Sequence, residues 1–199
     1  MLAATLSILQ VLEPEVTLPH LWLPIVLSAV IVFVASALIW TVLKYEAREW
    51  KPIPGEDQLR EVVRKLNLPA PGQYSFPHGL GEGGMEAAKK KLEEGPNGHL
   101  LLRRPGRYTM GPQLFQAFIY DLVVSVFVGY VTCHALDRGA DYLRVFQIAG
   151  ASGFMAYGLA LVPEAIWFGR TWRSVLKSLF SALIYACLTA GTFGWLWPR

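Results

Sequence analysis

Four long apolar runs decide what this chain can become. They are Leu21–Leu43, Gln113–Leu136, Val145–Phe168 and Leu176–Trp197, each 22 to 24 residues long. A helix needs roughly 20 apolar residues to cross a hydrocarbon core of about 30 Å. The first run contains no charge, the second and third hold one acid each (Asp121 and Glu164), and the fourth holds Lys177 at its edge. A soluble helix keeps a polar face, and Leu21–Leu43 does not read that way. Composition agrees: 53% of the 199 residues are hydrophobic and 17% charged, against about 25% charged in an average soluble domain. A disordered chain, which is polar and highly charged, is excluded. The expected fold is an all-α transmembrane four-helix bundle.

The runs are unevenly connected. Spans two to four, over 113–136, 145–168 and 176–197, are joined by short links, which predicts antiparallel neighbours. Span one, over 21–43, is separated from span two by an insertion over 44–112. That insertion reads as a small cytoplasmic α+β unit. Leu59, Val62, Val63 and Leu66 share one face of a helix over Glu56–Leu66, ended by Pro69 and Pro71-Gly72. Gln73–Phe76 reads as a short strand, Met85–Glu94 as a charged helix stopped by Gly95-Pro96, and Gly98–Arg103 as a second strand ending at Pro105-Gly106. Residues 1–20 are expected to form an extracytoplasmic segment. Their apolar start has no basic region ahead of it, so it does not read as a cleaved signal peptide.

Within this layout, GQYSFPH, Met85, KLEEGPNGHLLLRRPG, a Met-Gly pair ahead of span two and the closing AGTFGWLWP resemble an uncharacterised family of four-span bacterial inner-membrane proteins. The resemblance implies a bacterial inner-membrane location. It brings no activity and no catalytic residues.

Charge sets the expected orientation. Twelve Lys and Arg residues lie between Lys44 and Pro112, and Arg170, Arg173 and Lys177 add three on the same side. The other side carries Arg138, Arg144 and Arg199. Cytoplasmic segments near spans are rich in Lys and Arg, so the insertion is expected inside and both termini outside the cytoplasm. Trp22, Trp40, Trp167, Trp172, Trp195 and Trp197 fall at or near span ends, where interfacial aromatic residues belong.

Small residues predict which faces meet, because they let helix backbones approach closely in lipid. Span four carries Ser174, Ser178, Ala182, Ala186, Ala190 and Gly194 at every fourth position. Span two carries Ala117, Asp121, Ser125, Gly129 and Cys133, and span three Ala149, Gly153, Ala156 and Ala160, leading to Glu164. A three-helix core is expected. Span one has a weaker face of Ser28, Ala35 and Ser36 and is expected to pack peripherally or to serve a partner, with Val32 toward lipid.

Asp121 and Glu164 lie on these small faces and should point inward, since an acid facing lipid is costly. With Arg173 and Lys177 they form the candidate polar cluster. It has two readings: a proton or cation relay built on Asp121 and Glu164, or ion pairs that fix the helix ends. Arg173 and Lys177 are expected to reach Glu164 more easily than Asp121. Asp121 itself is expected to be neutral or hydrogen-bonded, with Ser125 and Ser178 as partners. Pro163 is expected to kink span three, because it cannot donate to the carbonyl of Leu159.

Other chemistry finds little footing. Cys133 with His134, and His78 with His99, lack the closely spaced ligand pairs of a metal site. The run Gly79–Gly84 lacks the Lys-Ser or Lys-Thr of a phosphate loop. No nucleophile elbow, zinc helix or kinase signature occurs. The net charge of +3 leaves no broad nucleic-acid footprint. The expectation is a non-enzyme without cofactor or metal, whose partners are the bilayer and either another membrane protein or further copies of itself. The leading function is an accessory or scaffold subunit of a membrane complex. The alternative is a small oligomeric carrier or channel using Asp121 and Glu164.

Overall fold

Lys44 ends the first long helix in a left-handed conformation, with φ at 56°, and so turns the chain back toward the bundle. The computed structural model describes residues 16–81, 83–107 and 109–199. Most of the segment expected over 1–20 therefore lies outside the described residues. The chain is mostly helical, with one two-stranded sheet. Four helical stretches are long and apolar enough to cross a membrane: Leu18–Leu43, Gly111–Ala135, Tyr142–Trp167 and Trp172–Trp195.

The first stretch opens with a 3₁₀ turn, Leu18–Leu21, capped reciprocally by Thr17 and His20. Helix α1 (Trp22–Leu38) follows and closes in a π turn, Ile39–Leu43. The insertion then gives α2 (Glu56–Lys65), β1 (Gly72–Phe76), α3 (Gly84–Glu94) and β2 (Gly98–Leu102). The strands pair antiparallel, from Gly72 opposite Leu102 to Phe76 opposite Gly98. Beyond them lie α4 (Gly111–Ala135), α5 (Tyr142–Tyr157), a 3₁₀ turn (Leu159–Leu161), α6 (Val162–Trp167) and α7 (Trp172–Trp195).

The long helices form a ring in which α1 packs on α4 and α7, and α5 packs on the same two. Span one is thus a full member of the bundle and does not sit at its edge. Its inward residues are Ile25, Ser28, Ala29 and Val32. Val32 is 1% exposed, so it faces the core and not lipid. Ser28 reaches across to Ser125 of α4 at 3.1 Å. Of the expected face, Ser28 is buried while Ala35 and Ser36 are only partly buried, and Val32 is not marked by pattern because almost every position in this run is apolar.

The closest approach is between α5 and α7. A Cβ added at Gly150 would meet the Cβ of Ala190 at 3.3 Å, one at Gly153 the Cα of Ala186 at 3.4 Å, and one at Gly158 the Cβ of Ala182 at 3.1 Å. Ala149, Ser178, Ala182, Ala186 and Ala190 are all buried. Gly129 of α4 is buried under Ile25 and Phe193. The small face of span three differs from the expected one in its second half. Ala156 and Ala160 are exposed, and Tyr157 and Gly158 are buried instead. Spacing by four from Val145 through Ala149 and Gly153 arrives at Tyr157. The helix then breaks at Gly158, one turn ahead of Pro163, which sits in the first turn of α6. Ala117, at the start of the span-two face, is also exposed.

The end opposite the insertion is closed by the last residues. The Trp197 indole donates to the carbonyl of Asp137 at 3.0 Å, and the Gly139 amide donates to the carbonyl of Pro198 at 2.9 Å.

Replacing Gly153 with Leu is expected to force α5 and α7 apart and to lower stability in detergent by ~1–3 kcal/mol, the usual cost of overpacking. Val34→Leu, at a half-exposed position of α1, is the control. Equal thermal unfolding of the two variants would refute the seam.

Candidate functional site

The left-handed turn at Lys44 lays Tyr45–Glu49 along the first two turns of α7. Thr171 caps that helix, its hydroxyl accepting from the Ser174 amide at 3.3 Å. Successive turns of α7 then present Ser174, Lys177, Ser178 and Ser181 to the returning chain. Glu46 is 9% exposed. Its carboxylate accepts from the Ser178 hydroxyl at 2.8 Å and from the Ser181 hydroxyl. Ser181 is bonded in turn to the Tyr45 hydroxyl at 2.5 Å.

A second line enters from span three. Arg170 donates to Glu164 at 2.8 Å, to Ser174 at 3.2 Å and to Ser178 at 2.6 Å. Ser178 therefore accepts from a guanidinium and donates to a carboxylate, coupling Arg170 to Glu46 through one oxygen. Lys177 donates to Glu49 and to the Tyr45 carbonyl at 3.2 Å. Arg173 lies 3.5 Å from Glu49 and is largely exposed. Three acids and three bases thus face one another at the insertion end of the bundle. Hydrogen bonds with an ionised partner are about twice as strong as neutral ones.

The structure divides the four residues of the expected polar cluster. Glu164 is paired with Arg170, while Lys177 and Arg173 are turned to Glu49 and not to Glu164 or Asp121. Asp121 stands apart, 6% exposed and ten residues into α4, or about 15 Å at 1.5 Å per residue. Its expected partners are engaged elsewhere: Ser125 with Ser28, and Ser178 with Glu46 and Arg170. Beside Asp121 the rings of Tyr120 and Tyr157 meet edge to face at 6.1 Å, and those of Tyr157 and Tyr185 at 5.7 Å.

Glu46, Glu49 and Tyr45 escaped the sequence reading because they sit in the insertion, more than 120 positions from their partners on α7. A signal was nevertheless present. Two acids three residues apart follow span one directly, on the same side as the bases that open span four.

The remaining candidates do not assemble. The Nδ1 of His134 lies 2.8 Å from the Tyr130 carbonyl and 3.4 Å from the Cys133 sulfur. His78 accepts from the Leu80 amide at 3.3 Å, while the His99 ring packs on Phe168 at 5.8 Å. Among the described residues no group of three or more His, Cys, Asp or Glu gathers into a metal site. Two surface clefts, of 430 Å³ beside Phe76, His78 and Lys91 and of 340 Å³ beside Thr17, Cys133 and Asp137, lie outside the bundle interior. Comparison with known protein families, with curated proteins and with solved structures finds no match.

Glu49 contributes a pH dependence to this site. The hydrogen bond from Lys177 holds its carboxyl below the usual glutamate range; burial opposes this, and the charges of Lys177, Arg173 and Lys51 add to it. A carboxyl lowered on folding stabilises above its unfolded value, and that stability is lost as pH falls through the folded one. Glu49→Gln is therefore expected to shrink the loss of thermal stability between neutral pH and about pH 3. An unchanged loss would show that the Lys177 pair contributes nothing.

Proposed function

We propose that this chain is a multi-pass membrane protein serving as a non-catalytic accessory or scaffold subunit of a bacterial inner-membrane complex. The observation that carries this reading is the engagement of its charged groups at the insertion end. Arg170, Arg173 and Lys177 are bound to Glu164 and Glu49, and Glu46 is held by serines. They fasten the end of span one to spans three and four, which is a structural task. Outward faces support the membrane setting. Trp22, Val34, Phe115, Phe127, Phe180 and Trp195 are all at least half exposed, a surface suited to lipid or to another apolar partner.

The insertion fits the inner leaflet in this reading. Leu59 and Val62 of α2 and Leu66 at its end are exposed along one face, and Trp50 and Ile53 are exposed just ahead of it. An amphipathic helix of this kind lies in the interface plane with its apolar face in the acyl boundary. The basic asymmetry places the insertion in the cytoplasm and both ends of the chain outside it. The bacterial assignment rests on the family resemblance of the insertion and closing strings.

The second reading, a small oligomeric carrier, is favoured by one observation: Asp121 has neither an ion-pair nor a hydrogen-bond partner among the described residues, as a working intramembrane acid would.

A pull-down in mild detergent tests the choice. The scaffold reading expects a heteromeric partner in fixed ratio. A pure self-assembled oligomer would overturn it in favour of the carrier. Reporter fusions test the orientation. A cytoplasm-active reporter is expected to work near Gly83 and to fail at Arg199, and the reverse pattern would refute the topology.

A further inference from the structure

The chain leaving α1 sorts its charges by side. Residues 44–51 carry three bases, Lys44, Arg48 and Lys51, and two acids, Glu46 and Glu49. The backbone coils here: the Arg48 amide donates to the Lys44 carbonyl at 3.0 Å, the Glu49 amide to that of Glu46 at 3.0 Å and the Trp50 amide to that of Ala47 at 3.2 Å. In such a coil, residues three and four apart share a face. Glu46 and Glu49 take the face toward α7, where Ser178 and Ser181 hold the one and Lys177 the other. Lys44, Arg48 and Lys51 are exposed, and none of them has an ion-pair partner among the described residues. The acids are answered inside the protein, and the bases are left on its surface.

The chain entering α4 has the same character. Arg103, Arg104 and Arg107 lie between β2 and α4, are exposed and likewise form no ion pair among the described residues. The His99 ring of β2 meets that of Phe168, at the end of span three. Arg107 is four residues ahead of Gly111, a reach of at most about 14 Å. Both strands of the connection therefore bring bases to the end of the bundle where α1 gives way to the insertion and α4 begins. Beside these bases the surface turns apolar. Trp40, Val42 and Leu43 are exposed on the last turns of span one, and Trp50 and Ile53 are exposed among and just beyond the bases that follow it. A soluble anion would meet the bases alone. A phospholipid matches both parts, its phosphate with the bases and its acyl chains with the apolar turns.

We propose that Lys44, Arg48 and Lys51, together with Arg103, Arg104 and Arg107, form a docking surface for anionic phospholipid headgroups. This rests on the membrane reading and is independent of the scaffold role. The network on α7 is what makes the surface selective. With Glu46 and Glu49 turned inward, the acids nearest in sequence no longer repel a phosphate or compete for the bases. Further along, Asp57 and Glu61 are paired with Arg60 and Lys65 within α2.

The test uses the full chain reconstituted into phosphatidylcholine bilayers, with spin-labelled phosphatidylglycerol and phosphatidylcholine compared as probes of lipid bound at the protein surface. A base close to an anionic headgroup strengthens association by about fivefold, so phosphatidylglycerol is expected to be favoured by at least that factor. Raising the salt to about 1 M, where the screening length is about 3 Å, is expected to shrink the preference. Arg48→Gln combined with Lys51→Gln is expected to remove most of it, and Arg103→Gln combined with Arg104→Gln to weaken it. The second pair lies outside every helix and strand and keeps the test decisive if the first does not fold. Lys90→Gln combined with Lys91→Gln, an equal charge change on α3, is expected to leave the preference as it is. Equal binding of the two lipids by the parent chain overturns the proposal, as does an equal loss in the α3 variant, which would reduce the effect to net charge. A preference abolished by inorganic phosphate at unchanged ionic strength overturns it in favour of a site for the free anion. A chain that does not enter the bilayer overturns the membrane reading and this proposal together, whereas one that enters without lipid preference overturns this proposal alone.

Discussion

The glycine–alanine seam between α5 and α7 is the contact on which the rest of the bundle is built. Small residues let helix backbones approach closely, and dispersion contacts along that approach hold the pair together. Gly150, Gly153 and Gly158 provide that approach along more than two turns of α5, against Ala190, Ala186 and Ala182. With this pair set, α7 has two further faces to offer. Phe193 covers Gly129 of α4, and the serine-bearing first turns receive the chain returning from α1.

That return is electrostatic where the seam is steric. Glu46 is buried, yet its charge is answered by two hydroxyls, one of them already polarised by Arg170. Such a network is costly if only partly satisfied, which makes the turn at Lys44 a fixed feature and not a loose exit. The insertion is tied to the bundle at this point and again by His99 against Phe168.

Much of this architecture was legible in the sequence, and the omissions have physical causes. The four long helices were announced by length and hydropathy. The insertion elements were announced by periodicity and by Pro-Gly stops, and observed boundaries such as Gly72–Phe76 and Gly98–Leu102 differ from the expected ones by about one residue. The face of span one is only partly marked because a uniformly apolar run has no period: Ser28 belongs to it as expected, while Val32 faces the core and not lipid. The face of span three was misread past Gly153 because small size was taken as the only mark of contact, whereas Tyr157 points inward with a full ring. In the candidate site, Asp121 could be singled out as a lone acid in an apolar run. The pairing of Lys177 and Arg173 with Glu49 could not, because it depends on a single left-handed residue that local pattern does not specify.

Chain order gives span four a further significance. As the chain leaves the ribosome, α1, α4 and α5 are made before α7. Until α7 arrives, Glu46 and Glu49 have no serine or lysine to meet, Gly150 and Gly153 have no alanine face, and the 137–139 turn has no indole or carbonyl from residues 197–198. The first three spans are thus an unfinished set whose polar and small-residue surfaces are complementary to a helix not yet made. Arrival of α7 and completion of the fold become one event, and a chain interrupted ahead of it would leave those surfaces uncovered.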